Sequence, residues 1–68
     1  MVIKWHDGFN IKAKAENGEI LISANKEGLL SLADQLTALA EEEKGSHIHY
    51  GDYNSLEDGS DELIIELK

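Results

Sequence analysis

The chain has no cysteine and no arginine. Without cysteine, neither a disulfide framework nor a cysteine-bound zinc can brace a domain this small. Small secreted domains usually carry disulfides, so the cytoplasm is the expected compartment. Arginine is the residue most used to grip phosphate, and here 14 acidic residues face only 6 lysines. Nucleic acid is therefore not an expected partner. Long apolar runs are also missing. None approaches the ~18 residues that span a bilayer, so no membrane partner is expected. The opening stretch Met1–Gly8 has neither the apolar segment nor the small-residue cleavage site of a signal peptide.

What is present is charge, unevenly placed. The net charge is −8 over 68 residues, which read as a single domain, 1–68. Lysines and acids balance in residues 1–33. Residues 34–68 hold ten acids and two lysines, and so carry the whole excess. An acidic half of this kind keeps a small domain in solution. It also steers a basic protein partner towards it. A core of this size supplies only ~3–5 kcal/mol, and many such chains need a metal or a partner.

From Phe9 to Ala15 the odd positions are apolar and the even ones polar, a strand with one wet face. Asn17-Gly18 then predicts a two-residue type I′ hairpin turn. That turn sets Ala15 against Ile20, Ala13 against Ile22 and Ile11 against Ala24, so apolar meets apolar throughout. The same test fails at Asp7-Gly8, which reads as a kink in one long strand or part of a longer loop. Asn25 is a helix N-cap. Leu29, Leu32, Ala33, Leu36, Leu39 and Ala40 form an apolar stripe on a helix spanning Lys26–Lys44, closed by Gly45. Gly28 is out of place in a first turn unless the helix there approaches the sheet closely. Residues 46–50 and 62–68 read as two further strands. The fold class is α+β: a two-layer domain of order β-β-α-β-β. Its mainly antiparallel sheet packs on one helix, and the other sheet face is open.

That open face carries the candidate chemistry. His47 and His49 alternate with Ile48 and Tyr50, so both imidazoles project outward, with Glu62, Ile64 and Glu66. Two such histidines could share a zinc, with Asp52, His6 and Asp7 the appealing further donors. Spacing places none of them nearby, so His47, His49 and Asp52 are weak metal candidates and no cofactor is expected. Ser46 and His47 point to opposite sides of a strand, and no phosphate loop or nucleophile elbow occurs, so no enzyme is expected. Tyr50 has core parity, and so has Trp5. Tyr53, in the acidic loop, suits an interface anchor.

Asn25, Gly28-Leu29, the Leu/Ala-rich helix, Gly45-Ser46-His47-Ile48-His49, Ser55-Leu56, Gly59-Ser60 and Glu62–Leu67 together resemble the bacterial immunity protein family thirty-two of polymorphic toxin systems. The resemblance covers about the last two-thirds of the chain. It implies a small, non-enzymatic, cytoplasmic α+β protein that binds and neutralises a cognate protein toxin. With the acidic half it suggests a basic toxin and a contact through His47, His49, Tyr53, Glu57, Asp58 and Asp61. Two other readings stand beside it. One is a small metal- or ligand-binding domain built on His47 and His49. The other is a self-associating module, in which a homodimer would explain the outward Leu21 and Ile64.

Overall fold

At the Asn17-Gly18 turn, φ is 51° at Asn17 and 78° at Gly18, both positive as a type I′ turn demands. The turn joins β1 (Ile11–Glu16) to β2 (Glu19–Ala24) in a computed structural model that describes residues 1–68. The register is the one the alternation predicts, with Ala15 opposite Ile20, Ala13 opposite Ile22 and Ile11 opposite Ala24. Upstream, Asp7-Gly8 is a turn, with Gly8 at φ 80° and the Phe9 N–H donating to the His6 carbonyl at 3.2 Å. Residues 1–10 form no strand, so the loop reading holds there and the long strand does not.

Helix α1 (Lys26–Ala40) starts where Asn25 can cap it. The Asn25 Oδ1 accepts the Gly28 N–H at 2.8 Å and the Asn10 N–H at 3.0 Å, while its amide donates to the Gly8 carbonyl at 2.9 Å. One side chain thus satisfies a helix end and ties down the approach to β1. A Cβ at Gly28 would lie 2.7 Å from the Asn10 carbonyl oxygen and 3.0 Å from Ala24 Cβ. The glycine is what lets helix and hairpin meet.

The helix is shorter than the stripe suggests. It stops at Ala40, with Glu41 as C-cap and no basic residue in the last turn. Glu41, Glu42 and Glu43 would place three carboxylates at the negative end of the helix dipole, where anions are unfavourable. Gly45, at φ 94°, turns the chain into β3 (His47–Tyr50), which pairs antiparallel with β4 (Leu63–Glu66).

The order β-β-α-β-β is as expected, but the single sheet is two two-stranded ribbons, β1–β2 and β3–β4. The free edge of β1 is taken by the loop before β4 instead of by a strand. Glu57 N–H donates to the Ile11 carbonyl at 2.9 Å and Asp61 N–H to the Ala13 carbonyl at 2.8 Å. In the other direction, Ala13 N–H donates to Ser60 Oγ at 3.2 Å and Ala15 N–H to Asp61 Oδ2 at 2.8 Å. The loop does the work of a third strand, partly with side-chain oxygens.

The core contains Ile11, Ala13, Leu32, Leu39, Ile48, Tyr50 and Leu56, with Trp5 and Phe9 packed against it. Trp5 stacks on Phe9 at 4.3 Å and meets Tyr50 edge-on at 6.2 Å. The buried helix face is Gly28, Ser31, Leu32, Gln35 and Leu39. Leu29 and Leu36, expected in the stripe, are exposed. The helix is rolled because two polar residues have buried work. Tyr50 donates its hydroxyl to Gln35 Oε1 at 2.8 Å, and Gln35 Nε2 donates to the Lys4 carbonyl at 2.8 Å. Ser31 Oγ accepts the His6 N–H and donates to the Glu27 carbonyl, both at 2.8 Å. Burial raises the Tyr50 phenol above its ordinary pKa. No helix is long and apolar enough to cross a membrane.

The fold leaves much surface uncovered. The accessible area is 4805 Å² for 7.5 kDa, against about 4,250 Å² for a typical folded monomer of that mass, an excess of roughly 550 Å². Ile20, Leu21, Ile22, Leu29, Leu30 and Leu36 all contribute to it.

Candidate functional site

Alternation along β3 buries Ile48 and Tyr50 and exposes His47 and His49. Pairing with β4 sets His49 opposite Ile64 and His47 opposite Glu66. The imidazoles therefore share an open face with an apolar residue that is 57% exposed. His49 Nε2 lies 2.8 Å from Glu62 Oε2. A carboxylate only accepts, so Nε2 carries the proton, and in the neutral ring Nδ1 is left as the acceptor. The pair is half exposed and contributes at most ~1 kcal/mol to stability. Its effect is to fix the ring.

Tyr53 meets the same imidazole edge-to-face, with ring centroids 6.0 Å apart. It is held there by the loop after β3. The Gly51 carbonyl accepts the N–H groups of Asn54, Ser55 and Leu56. Asn54 Oδ1 accepts the Gly51 N–H at 2.9 Å, and its amide donates to the His49 carbonyl at 3.2 Å. Leu56 plugs the core. The Tyr53 ring crosses over Gly51 so closely that a Cβ there would collide with it. Tyr53 is nevertheless 67% exposed. Beside it lies a shallow depression of about 340 Å³, whose lining includes Phe9, Asn10, Asp52, Tyr53 and Glu57.

The expected site residues thus fall into two groups. His49 and Tyr53 are in contact, and His47 shares their face. Glu57, Asp58 and Asp61 lie on the loop along the β1 edge, where Glu57 and Asp61 also bond to β1 through their main chains. Asp61 has a further duty in accepting the Ala15 N–H. Asp52 is exposed. The carboxylate at His49 is Glu62, and no three His, Cys, Asp or Glu side chains stand together as a metal site would require.

Glu62 is the residue that the motif did not single out. Its outward parity was visible, but its contact depends on β4 running antiparallel to β3 in this register. His6 forms a second imidazole–carboxylate pair, Nε2 to Asp34 Oδ2 at 2.9 Å, between the N-terminal loop and α1.

Fold and surface together define a small acidic α+β domain of two β ribbons and one helix, with the outer face of β3–β4 open. The sequence profile of the family described as Immunity protein 32 matches residues 19–68, from the first residue of β2 to the end, and the chain belongs to that family. No curated protein and no solved structure matches it. Membership supports a toxin-neutralising immunity role in the general sense.

Proposed function

We propose that this protein neutralises its cognate toxin by stoichiometric binding, without catalysis. The contact is the outer face of β3–β4 with the two loops beside it: His47, His49 and Tyr53, flanked by Glu57, Asp58 and Asp61. The carrying observation is the fixed group of His49, Glu62 and Tyr53. An imidazole, a carboxylate and a phenol are exposed together, the His49 ring bonded to Glu62 and edge-on to Tyr53, beside the exposed Ile64. Pre-ordered aromatic and polar groups around an apolar point are what interface hot spots use, because little entropy is lost on binding.

The charge supports a basic toxin. The chain carries −8, all of it arising in residues 34–68, which include this face. Steering of that kind raises the association rate and weakens with salt. The cytoplasm, where a toxin-producing cell would need protection, is the compartment proposed.

The test is co-expression with the toxin, followed by calorimetry on the purified pair. Tyr53→Ala and His49→Ala should each weaken binding at least tenfold, the ~1.4 kcal/mol or more of a hot-spot residue. The double substitution of Glu57 and Asp58 to Lys should slow association and flatten its salt dependence. Unchanged affinity in all three variants would remove the contact from this face. Failure to rescue growth would remove the immunity reading itself.

A further inference from the structure

The two edges of the β1–β2 ribbon are treated differently. At β1, the outward carbonyls of Ile11 and Ala13 and the outward N–H groups of Ala13 and Ala15 are bonded to the loop Glu57–Asp61. Their partners across the ribbon are Ala24, Ile22 and Ile20, so these residues turn their main-chain groups away on the far side. At Ile20 and Ile22 nothing receives them: no turn, loop or side-chain hydrogen bond involves either residue.

The β2 edge has little of the usual protection, its one charge being Glu19 at the end of the strand. No proline, lysine or bulge interrupts Glu19–Ala24. Its side chains are apolar on both faces, with Ile20 75%, Leu21 60% and Ile22 39% exposed.

We propose that β2 pairs antiparallel with β2 of a second copy, giving a four-stranded sheet in the order β1–β2–β2′–β1′. The strand is self-complementary in one register. With Leu21 on the two-fold axis, Ile20 stands opposite Ile22 of the other copy, and Glu19 opposite Ser23. Every apolar residue meets an apolar one, and no like charges oppose. Ile20 and Ile22 are the positions whose main-chain groups face outward, so each Ile20–Ile22 pair exchanges two hydrogen bonds, four across the seam. An isologous contact needs just this match of a surface to itself.

Charge and area favour a second copy. Ionised groups repel in a dimer of two chains at −8 each, but the excess lies in residues 34–68, and residues 1–33, which include β2, balance to zero. The acidic loop seals the opposite edge of the ribbon, at β1. Ile20, Leu21 and Ile22 are part of the surplus surface of roughly 550 Å², and the smallest stable interfaces take ~500 Å² from each partner.

Sedimentation equilibrium on the full chain should show a species of twice the 7.5 kDa monomer mass, dissociating on dilution. Ile20→Pro removes one outward N–H and leaves the β1–β2 ladder its own bonds. Leu21→Lys places two ammonium groups on the axis. Each should raise the dimer dissociation constant at least tenfold with an unchanged circular dichroism spectrum. Ile64→Lys, on the other ribbon, should leave it unchanged. A monomer at every concentration overturns the proposal. So does a dimer that survives both β2 variants, or one broken by Ile64→Lys. If the chain is monomeric and Leu21→Lys abolishes toxin binding instead, the edge belongs to the toxin.

Discussion

A methyl group at Gly28 would stand 2.7 Å from the Asn10 carbonyl oxygen and 2.9 Å from Ile11 Cγ1. One neighbour is backbone and the other is fully buried, so neither gives way cheaply. Alanine would favour the helix by ~1 kcal/mol, but overpacking costs ~1–3 kcal/mol. Gly28→Ala should therefore lose about 1 kcal/mol in urea unfolding, and a more stable variant would show that the helix can lift away. This contact was legible in advance, because a glycine in a first turn needs a reason. Ser31 and Gln35 were not. Hydropathy gives polar residues to the wet side, and only the distant partners His6, Lys4 and Tyr50 make burying them favourable. Placing them inside turned Leu29 and Leu36 out.

Among the elements, the hairpin was the easiest to read. Its turn, alternation and pairing are all local, and they agree. The end of α1 was misjudged because an apolar period does not register the charge of Glu41–Glu43 at the helix terminus. The seal on β1 left no pattern at all. It joins residues 46 apart through main-chain groups and two side-chain oxygens, and a loop rich in Asp, Gly and Ser looks the same whether docked or free. Asp61 separates the two roles that such a loop can have. Asp61→Asn keeps an acceptor for the Ala15 N–H and removes the charge, so stability should hold within about 0.5 kcal/mol. Asp61→Ala removes the bond and should cost about 1 kcal/mol. Chemical denaturation measures both, and equal losses would mean that the charge, not the bond, holds the loop. The same logic explains the candidate site. His47 and His49 were visible as an alternating pair, whereas Glu62 needed the β3–β4 register.

The domain and the stretch that defines its family do not coincide. The family match starts at Glu19, yet β1 supplies Ile11 and Ala13, both almost wholly buried, to the core. It also receives the loop Glu57–Asp61 on one side and β2 on the other. Residues 19–68 alone should therefore melt without a cooperative transition, where the full chain shows one by circular dichroism. A cooperative melt of the shorter chain would mean that its remaining apolar residues make a core without β1. Composition had given the size and the charge imbalance, and the motifs between Asn25 and Leu67 the likeness to immunity proteins. Neither could give the division into two ribbons, since that depends on whether β1's edge takes a strand or a loop.

The seal on β1 also has a consequence in time. A chain is made from its N-terminus, and the β1–β2 hairpin is complete by Ala24, but Ser60 and Asp61 come more than thirty residues later. Until they are made the hairpin has two bare edges. Only then can the loop close one of them. Slow elongation, or a stall before Ser60, would leave nascent hairpins able to pair with one another on either side, which turns a two-fold contact into an open-ended one. The loop Glu57–Asp61 thus limits how far the first two strands can associate.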